Sequence, residues 1–298
     1  MTSRARCVPP ASLAVLLLVV GCAASPGRER APASELAPTA TFRRGHAPVN
    51  GLRMYYEVHG NGPPLLLLHG GGSSIRTTFG EVLPALAEHH QVIAVEQQGH
   101  GHTADIDRPL SFEQMADDTA ALLGHLGVES ADVFGFSNGG SVAMQLAMRH
   151  PGKVRRLVVG SAFYANDGLE PQVRALFRQP PNAAGMPAPL RDEYLRIAPD
   201  PGNLQRLVEK LMAMLSGFHD WPAESLRAIS APTLVLQANA DVARPEHAIE
   251  MCRLIPRCEL VVLPGGHGTY IGEATAARAG SRLPSLTVAL IEEFLGPP

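Results

Sequence analysis

The chain has 298 residues, 45% of them hydrophobic and 18% charged, with a formal net charge of -3. That length and apolar share suit one large globular domain with room for an insertion. No basic surplus or Lys/Arg cluster points to nucleic acid, so the expected partner is a small-molecule substrate.

Arg4 and Arg6 precede an apolar run over 11–20 that is too short to span a bilayer. The run ends in Val19-Val20-Gly21-Cys22, which resembles a bacterial lipoprotein lipobox. The resemblance implies that 1–21 is a signal peptide cut before Cys22. The Cys22 thiol would then carry lipid and make the membrane contact, since several acyl chains anchor where one does not. Ala23 after the cysteine implies sorting to the outer membrane, facing the periplasm. An ordinary secretory signal cut near Ala24, giving a soluble periplasmic or secreted protein, is the alternative. Residues 22–41 are rich in Pro, Ala and Ser and read as a flexible tether spanning roughly 25 Å. The folded domain is expected over 42–298.

Strands are predicted at 52–58, 65–68 and 91–95, with Gly60-Asn61-Gly62 as a turn and a helix over 79–90. The helix over 111–126 starts at a capping box of Ser111 and Gln114, with Asp117 and Asp118 near its positive end. A strand at 131–136, a helix at 138–150 stopped by Pro151, and a strand at 156–160 follow. Strands alternating with helices at this spacing mean crossover units and a mostly parallel sheet. Between 163 and 229 the rhythm breaks: Pro180-Pro181, Pro187, Pro189, Pro199 and Pro201 interrupt short helical pieces such as 204–215. This stretch reads as an inserted helical lid. The sheet resumes with a strand at 233–236, a helix at 245–254, a strand at 260–263 and a closing helix at 286–294. In an exported chain Cys252 and Cys258, late in that helix and at the mouth of that strand, are candidates for a disulfide closing a short loop. Two buried free thiols are the other reading.

Gly135-Phe136-Ser137-Asn138-Gly139 sets a serine between two glycines at a strand-to-helix junction. A hydroxyl becomes a useful nucleophile once a sharp turn lifts it clear of the backbone and a base takes its proton. Acyl transfer also needs an acid to orient the base and donors for the oxyanion. His69-Gly70-Gly71-Gly72-Ser73-Ser74 follows the strand at 65–68, so the Gly71 N–H can aim at a carbonyl oxygen, with the Asn138 N–H as second donor. His69 itself reads as a structural hydrogen-bonder. Asp241 follows the strand at 233–236, and His267 lies in Pro264-Gly265-Gly266-His267-Gly268 beyond the strand at 260–263. His100-Gly101-His102 lacks the acid and third histidine that a metallo-hydrolase HxHxDH motif needs. No metal and no cofactor is expected.

The span 52–295 resembles the α/β-hydrolase superfamily, in the lidded group of esterases, enol-lactonases, carbon–carbon hydrolases and proline iminopeptidases. The resemblance implies an α/β fold: a mostly parallel eight-stranded sheet flanked by helices, with the lid at about 163–229 after the sixth strand. It implies Ser137 as nucleophile, Asp241 as orienting acid, His267 as general base, and the Gly71 and Asn138 amides as oxyanion donors. Gln98 to Thr103 looks like the family's loop after the fourth strand, although Glu96-Gln97-Gln98 precedes it where an Asp-Arg-type pair is commoner. Serine in place of the dehalogenase aspartate disfavours dehalogenation. The expected reaction is hydrolysis of a carboxylic ester, lactone or thioester through an acyl-enzyme. A proline iminopeptidase, with Glu193, Glu209 or Glu224 binding a free amine, or a carbon–carbon bond hydrolase is the enzymatic alternative. A ligand-binding receptor with little turnover is the alternative from another class. Phe163, Tyr164, Tyr194, Phe218, His219 and Trp221 either line the pocket or hold the lid down. The oligomeric state is left open.

Overall fold

The computed structural model describes residues 42–296. The expected signal peptide, Cys22 and the expected tether lie outside the described residues. Strands β1 (Arg43–Val49) and β2 (Leu52–His59) pair antiparallel around Asn50-Gly51. Both turn residues have positive φ, 46° and 85°, the conformation that a two-residue hairpin matched to strand twist requires. The sequence reading missed β1, for a physical reason. It is an edge strand whose first residues, Arg43 and Arg44, are exposed, and only Ala47 and Val49 are buried.

The remaining elements alternate. In chain order they are β3 (Pro64–Leu68), α1 (Ile75–Phe79), α2 (Leu83–Leu86), β4 (Gln91–Val95), α3 (Phe112–His125), β5 (Ala131–Phe136), α4 (Asn138–Arg149) and β6 (Val154–Gly160). After an insertion come β7 (Thr233–Ala240), α9 (Pro245–Leu254), β8 (Cys258–Gly266) and α10 (Leu283–Leu295). The insertion carries α5 (Pro171–Phe177), α6 (Ala188–Ile197), α7 (Leu204–Ser216) and α8 (Ala223–Arg227). The eight strands run in the order β1-β2-β4-β3-β5-β6-β7-β8. From β4 to β8 every neighbouring pair is parallel, while β2 runs antiparallel to both of its neighbours, β1 and β4.

Parallel strands covered on both faces read as continuous apolar runs. Leu65 to Leu68 shows why. Leu66 and Leu68 join a core layer with Met115, Leu122, Val142 and Leu146 of α3 and α4. Leu65 and Leu67 point the other way, into a layer with Phe79, Leu86, Ile291 and Leu295 of α1, α2 and α10. The result is a helix–sheet–helix sandwich.

Two local expectations are corrected. The helix predicted over 79–90 is two short pieces: α1 stops at Phe79, and α2 starts with Pro84 in its first turn and covers only Leu83–Leu86. The chain beyond bends beneath the 60–62 turn, whose Gly60 comes so close to the Ala87 carbonyl that a Cβ would stand 2.1 Å from it. The capping box of α3 is half formed. Ser111 accepts the Gln114 N–H, but the Gln114 side chain turns to Asp118, which also binds Arg108. A buried carboxylate needs those donors more than the exposed end of a helix does.

The insertion lies over the loops that follow β3 and β4, with Met186 and Leu211 against Gly72 and Gly71, and Leu207 against Gly99. Two polar anchors tie it down. Lys210 Nζ meets both Asp105 oxygens at 2.7 and 2.8 Å and the carbonyls of Ile106 and Arg108. Glu193 of α6 takes paired hydrogen bonds from Arg76 of α1 at 2.6 and 2.8 Å. Cys252 and Cys258 are joined by a disulfide across six positions of sequence. Among the described residues no helix is long and apolar enough to cross a membrane.

Candidate active site

Ser137 alone makes the corner between β5 and α4, at φ 56° and ψ -120°. A serine held there costs about 1–3 kcal/mol of backbone strain, so its surroundings must impose it. They do so by contact. A Cβ on Gly135 would stand 2.1 Å from the Gly139 carbonyl, and one on Gly139 would stand 2.0 Å from the Leu68 carbonyl. Only glycines let strand and helix close this tightly. The Ser137 N–H donates to the Gly160 carbonyl at 2.7 Å, and its side chain stays partly exposed.

Parallel neighbours bring the carboxyl ends of β5, β6, β7 and β8 to one edge, where active-site groups of such sheets gather. His267, just past β8, has Nε2 2.9 Å from Ser137 Oγ and Nδ1 2.5 Å from Asp241 Oδ1. Phe136 supports the ring from one side, its centroid 4.8 Å away. With Asp241 ionised, Nδ1 carries the proton and Nε2 is left to accept from the serine. Asp241 immediately follows β7 and is buried. Its Oδ1 also accepts the Val242 N–H at 2.7 Å, while Oδ2 accepts Ser161 Oγ–H at 2.5 Å and the Ala238 N–H at 3.2 Å.

Burial alone would push the Asp241 carboxyl up, but the imidazole of His267, the Ser161 hydroxyl and the Val242 amide hold it below its ordinary value. Burial likewise opposes charge on His267; the Asp241 carboxylate outweighs it, Glu273 adds to the effect, and the net shift is upward. The site is built to welcome a proton on His267.

Gly71 and Asn138 come together: a Cβ on Gly71 would lie 3.5 Å from Asn138 Cβ. Within the described residues neither main-chain N–H has a hydrogen-bond partner, and that of Asn138 opens a helix, where amides are free. The Gly72 amide is different, since it donates to His100 Nε2 at 3.0 Å. His69 is buried, with Nδ1 2.7 Å from the Gly70 carbonyl and Nε2 accepting the Gln97 N–H at 3.1 Å. Burial and the neighbouring His100 lower its pKa to about 3, so it stays neutral. Burial lowers His100 to about 4. Glu96 accepts the His102 N–H and the Ile75 N–H, which accounts for a buried acid ahead of this loop. Among the described residues no group of three or more His, Cys, Asp or Glu could hold a metal.

The insert's aromatic residues are mostly packing. Phe163, Phe218 and Trp221 meet Phe112 edge-to-face at 5.8–6.4 Å, and Tyr164 stacks on His247. Phe218, His219 and Trp221 also line an open groove of about 720 Å³, which none of Ser137, Asp241 and His267 reaches. Ser161, Tyr270 and Glu273 were not singled out from sequence. Ser161 sits at φ 51°, and no residue-type pattern announces a left-handed serine.

A family model described as alpha/beta hydrolase fold matches residues 63–220. An uncharacterized protein of Mycobacterium tuberculosis is 31% identical over 278 residues, covering 86% of this chain and 77% of that one. A thermophilic esterase from Thermogutta terrifontis superposes with a TM-score of 0.64 at 25% identity, over 85% of this chain and 98% of the other. The 2-hydroxy-6-oxo-6-phenylhexa-2,4-dienoate hydrolase of Rhodococcus sp. strain RHA1 gives a TM-score of 0.71 at 20% identity, over 87% and 100%.

Proposed function

Since the chain belongs to the α/β-hydrolase fold family and is a hydrolase, we propose that it is a serine hydrolase that opens carboxylic esters, lactones or thioesters through an acyl-enzyme. The observation that carries this reading is the unbroken chain Ser137 Oγ, His267 Nε2, His267 Nδ1, Asp241 Oδ1, at 2.9 and 2.5 Å. In the proposed mechanism Ser137 Oγ attacks the carbonyl carbon as its proton passes to His267 Nε2. Asp241 stabilises the imidazolium so formed. The free amides of Gly71 and Asn138 receive the oxyanion, a role supported by their shared position and unpaired N–H groups. The imidazolium then protonates the leaving alkoxide or thiolate. Water enters by the same base, and the carboxylic acid leaves.

The carboxylates that would favour a peptidase are otherwise engaged. Glu193 is paired with Arg76 and Arg196; burial opposes its charge, and those two guanidiniums nonetheless hold it at about 2. Glu209 accepts from Gln205, and Glu224 pairs with Arg227 at the surface. This leaves the ester-type reading ahead. The insertion over 163–229 serves as the lid that selects the acyl or alcohol group. Upstream, 1–21 acts as an export signal, Cys22 carries the lipid, and 22–41 tethers the domain to the outer membrane. An alkynyl fatty acid fed to expressing cells should label the protein, and Cys22→Ser should abolish that label.

A fluorophosphonate probe tests the nucleophile. The adduct is expected on the peptide bearing Ser137; an adduct elsewhere, or none, would end the proposal. Steady turnover of p-nitrophenyl acetate, lost in Ser137→Ala, separates an enzyme from a receptor on the same fold.

A further inference from the structure

Asp241 has two oxygens, and the mechanism above uses one. The second, Oδ2, faces Ser161 Oγ at 2.5 Å, and Ser161 Oγ in turn lies 2.9 Å from the Tyr270 hydroxyl. The direction of this chain follows from counting protons. The Asp241 carboxylate only accepts, so Ser161 spends its one hydroxyl hydrogen there. Ser161 Oγ is then left as an acceptor, and Tyr270 O–H donates to it. Tyr270's other neighbour, the Leu236 carbonyl, is 3.5 Å away and does not compete well.

The surroundings are shaped around this chain. Ser161 holds a left-handed φ of 51°, and its own N–H is fixed to the Leu236 carbonyl at 2.8 Å. Tyr270 is fully buried, its main chain held by Thr287 Oγ1 at 2.8 Å and its ring edge-on to Phe136. Gly160 makes the room, because a Cβ there would stand 2.7 Å from the tyrosine oxygen. A strained serine set against Asp241 Oδ2 beside the Ala238 amide, and backed by a buried tyrosine hydroxyl, is costly to maintain for packing alone.

We propose that Tyr270 and Ser161 form a directed hydrogen-bond relay that fixes Asp241 in the orientation its Oδ1 needs, making them positioning residues for the base at His267. This rests on the serine-hydrolase reading and deepens it. No proton moves along the relay during turnover; it keeps the carboxylate ionised and stops it rotating away from Nδ1. Ser161→Gly removes the hydroxyl and relieves the left-handed strain, which offsets the loss of the acceptor for the Tyr270 hydroxyl, so its stability should stay close to the parent's. A purely structural serine would therefore leave its reactivity unchanged.

The test follows covalent labelling of Ser137 by a fluorophosphonate, which needs no knowledge of the natural substrate. The maximal labelling rate and the half-saturating concentration are measured for the parent, Ser161→Gly, Tyr270→Phe, Asp241→Asn and the double variant Asp241→Asn/Ser161→Gly. Ser161→Gly should lose roughly tenfold in maximal rate, the size expected for one hydrogen bond to a charged group. The half-saturating concentration and the melting temperature should stay close to the parent's. Tyr270→Phe should lose less, about threefold, because it acts one bond further away. In the Asp241→Asn background Ser161→Gly should cost little more. A Ser161→Gly rate within twofold of the parent, or the same proportional loss with and without Asp241, overturns the relay. A parent that does not label at Ser137 overturns the hydrolase reading first, and the relay with it.

Discussion

The sheet edge that bears Ser137, Asp241 and His267 and the insertion between β6 and β7 are held by different means. At the edge, close main-chain contact sets the corner. Gly135, Gly139 and Leu68 meet at distances that exclude a side chain, and the Asp241 carboxylate takes hydrogen bonds from Val242, Ala238, Ser161 and His267. Beyond its first residues, where Gly168 and Glu170 bond through the main chain to Arg244 and Val242, the insertion rests on side chains: Lys210 on Asp105, Glu193 on Arg76, and the leucine face of α7, while α5 buries no residue at all. Close main-chain packing fixes atoms to within the tolerance that chemistry requires. Side-chain anchors hold a surface in place yet allow it to change, which suits a region that chooses substrates.

Five measurements break or sharpen that contrast. The edge should tolerate nothing at its centre: Ser137→Ala is expected to lose roughly 10⁴-fold or more in kcat/KM on p-nitrophenyl acetate with an unchanged fold by circular dichroism. Next comes pH. The base must be neutral to act, and Asp241 raises His267 against the effect of burial, so kcat/KM should climb with pH through a midpoint above the ordinary histidine value of 6.5. About tenfold is lost per unit below that midpoint. A midpoint below 6.5 would contradict the arrangement.

Loosening the insertion should act more gently. Lys210→Met is expected to raise KM roughly two- to fivefold with kcat nearly preserved, the range for a partly exposed charge cluster. An equal loss in kcat would mean that the anchor reaches the chemistry. The Glu193 anchor has a defined acid limit. Its folded value is depressed from 4.5 to about 2, so its contribution is complete above pH 4.5 and fades as pH falls towards 2. Limited proteolysis within 163–229 should accelerate over that window, and Glu193→Gln should remove the Glu193 share of the dependence, leaving that of Asp105, whose carboxyl, despite burial, Lys210 also holds low. The smallest effect belongs to the Cys252–Cys258 bridge, which closes a short loop. Cys252→Ser paired with Cys258→Ser should lower Tm by about 5 °C, from about 2 kcal/mol of chain entropy, without altering kcat.

The sequence was most legible where one residue type has one use. The strands read at 65–68, 91–95 and 131–136 became β3, β4 and β5 almost unaltered, because strands covered on both faces are mostly apolar; Asp132 is buried in β5 only by pairing with Arg155. The helix predicted at 245–254 has the same limits in the structure. Legibility failed at β1, whose outward residues are polar, and over 79–90, where helical spacing lost to Gly80, Pro84 and the close approach of Gly60. At the site, glycine spacing drew the eye to Ser137 and His267. Ser161 and Tyr270 carry no such marker, since their importance lies wholly in what they face.

Composition and order along the chain therefore determined the alternation of strands and helices, and from it which loops share a sheet edge, because hydrophobic period and chain direction are local properties. What only the folded structure decided was which hydrogen bonds close. The Gly72 amide goes to His100 while that of Gly71 stays free, Glu193 is neutralised by two arginines, and the second oxygen of Asp241 meets Ser161. Those pairings join residues up to 117 positions apart. They depend on differences of an ångström in how layers settle, and no pattern along one strand or helix encodes such a difference.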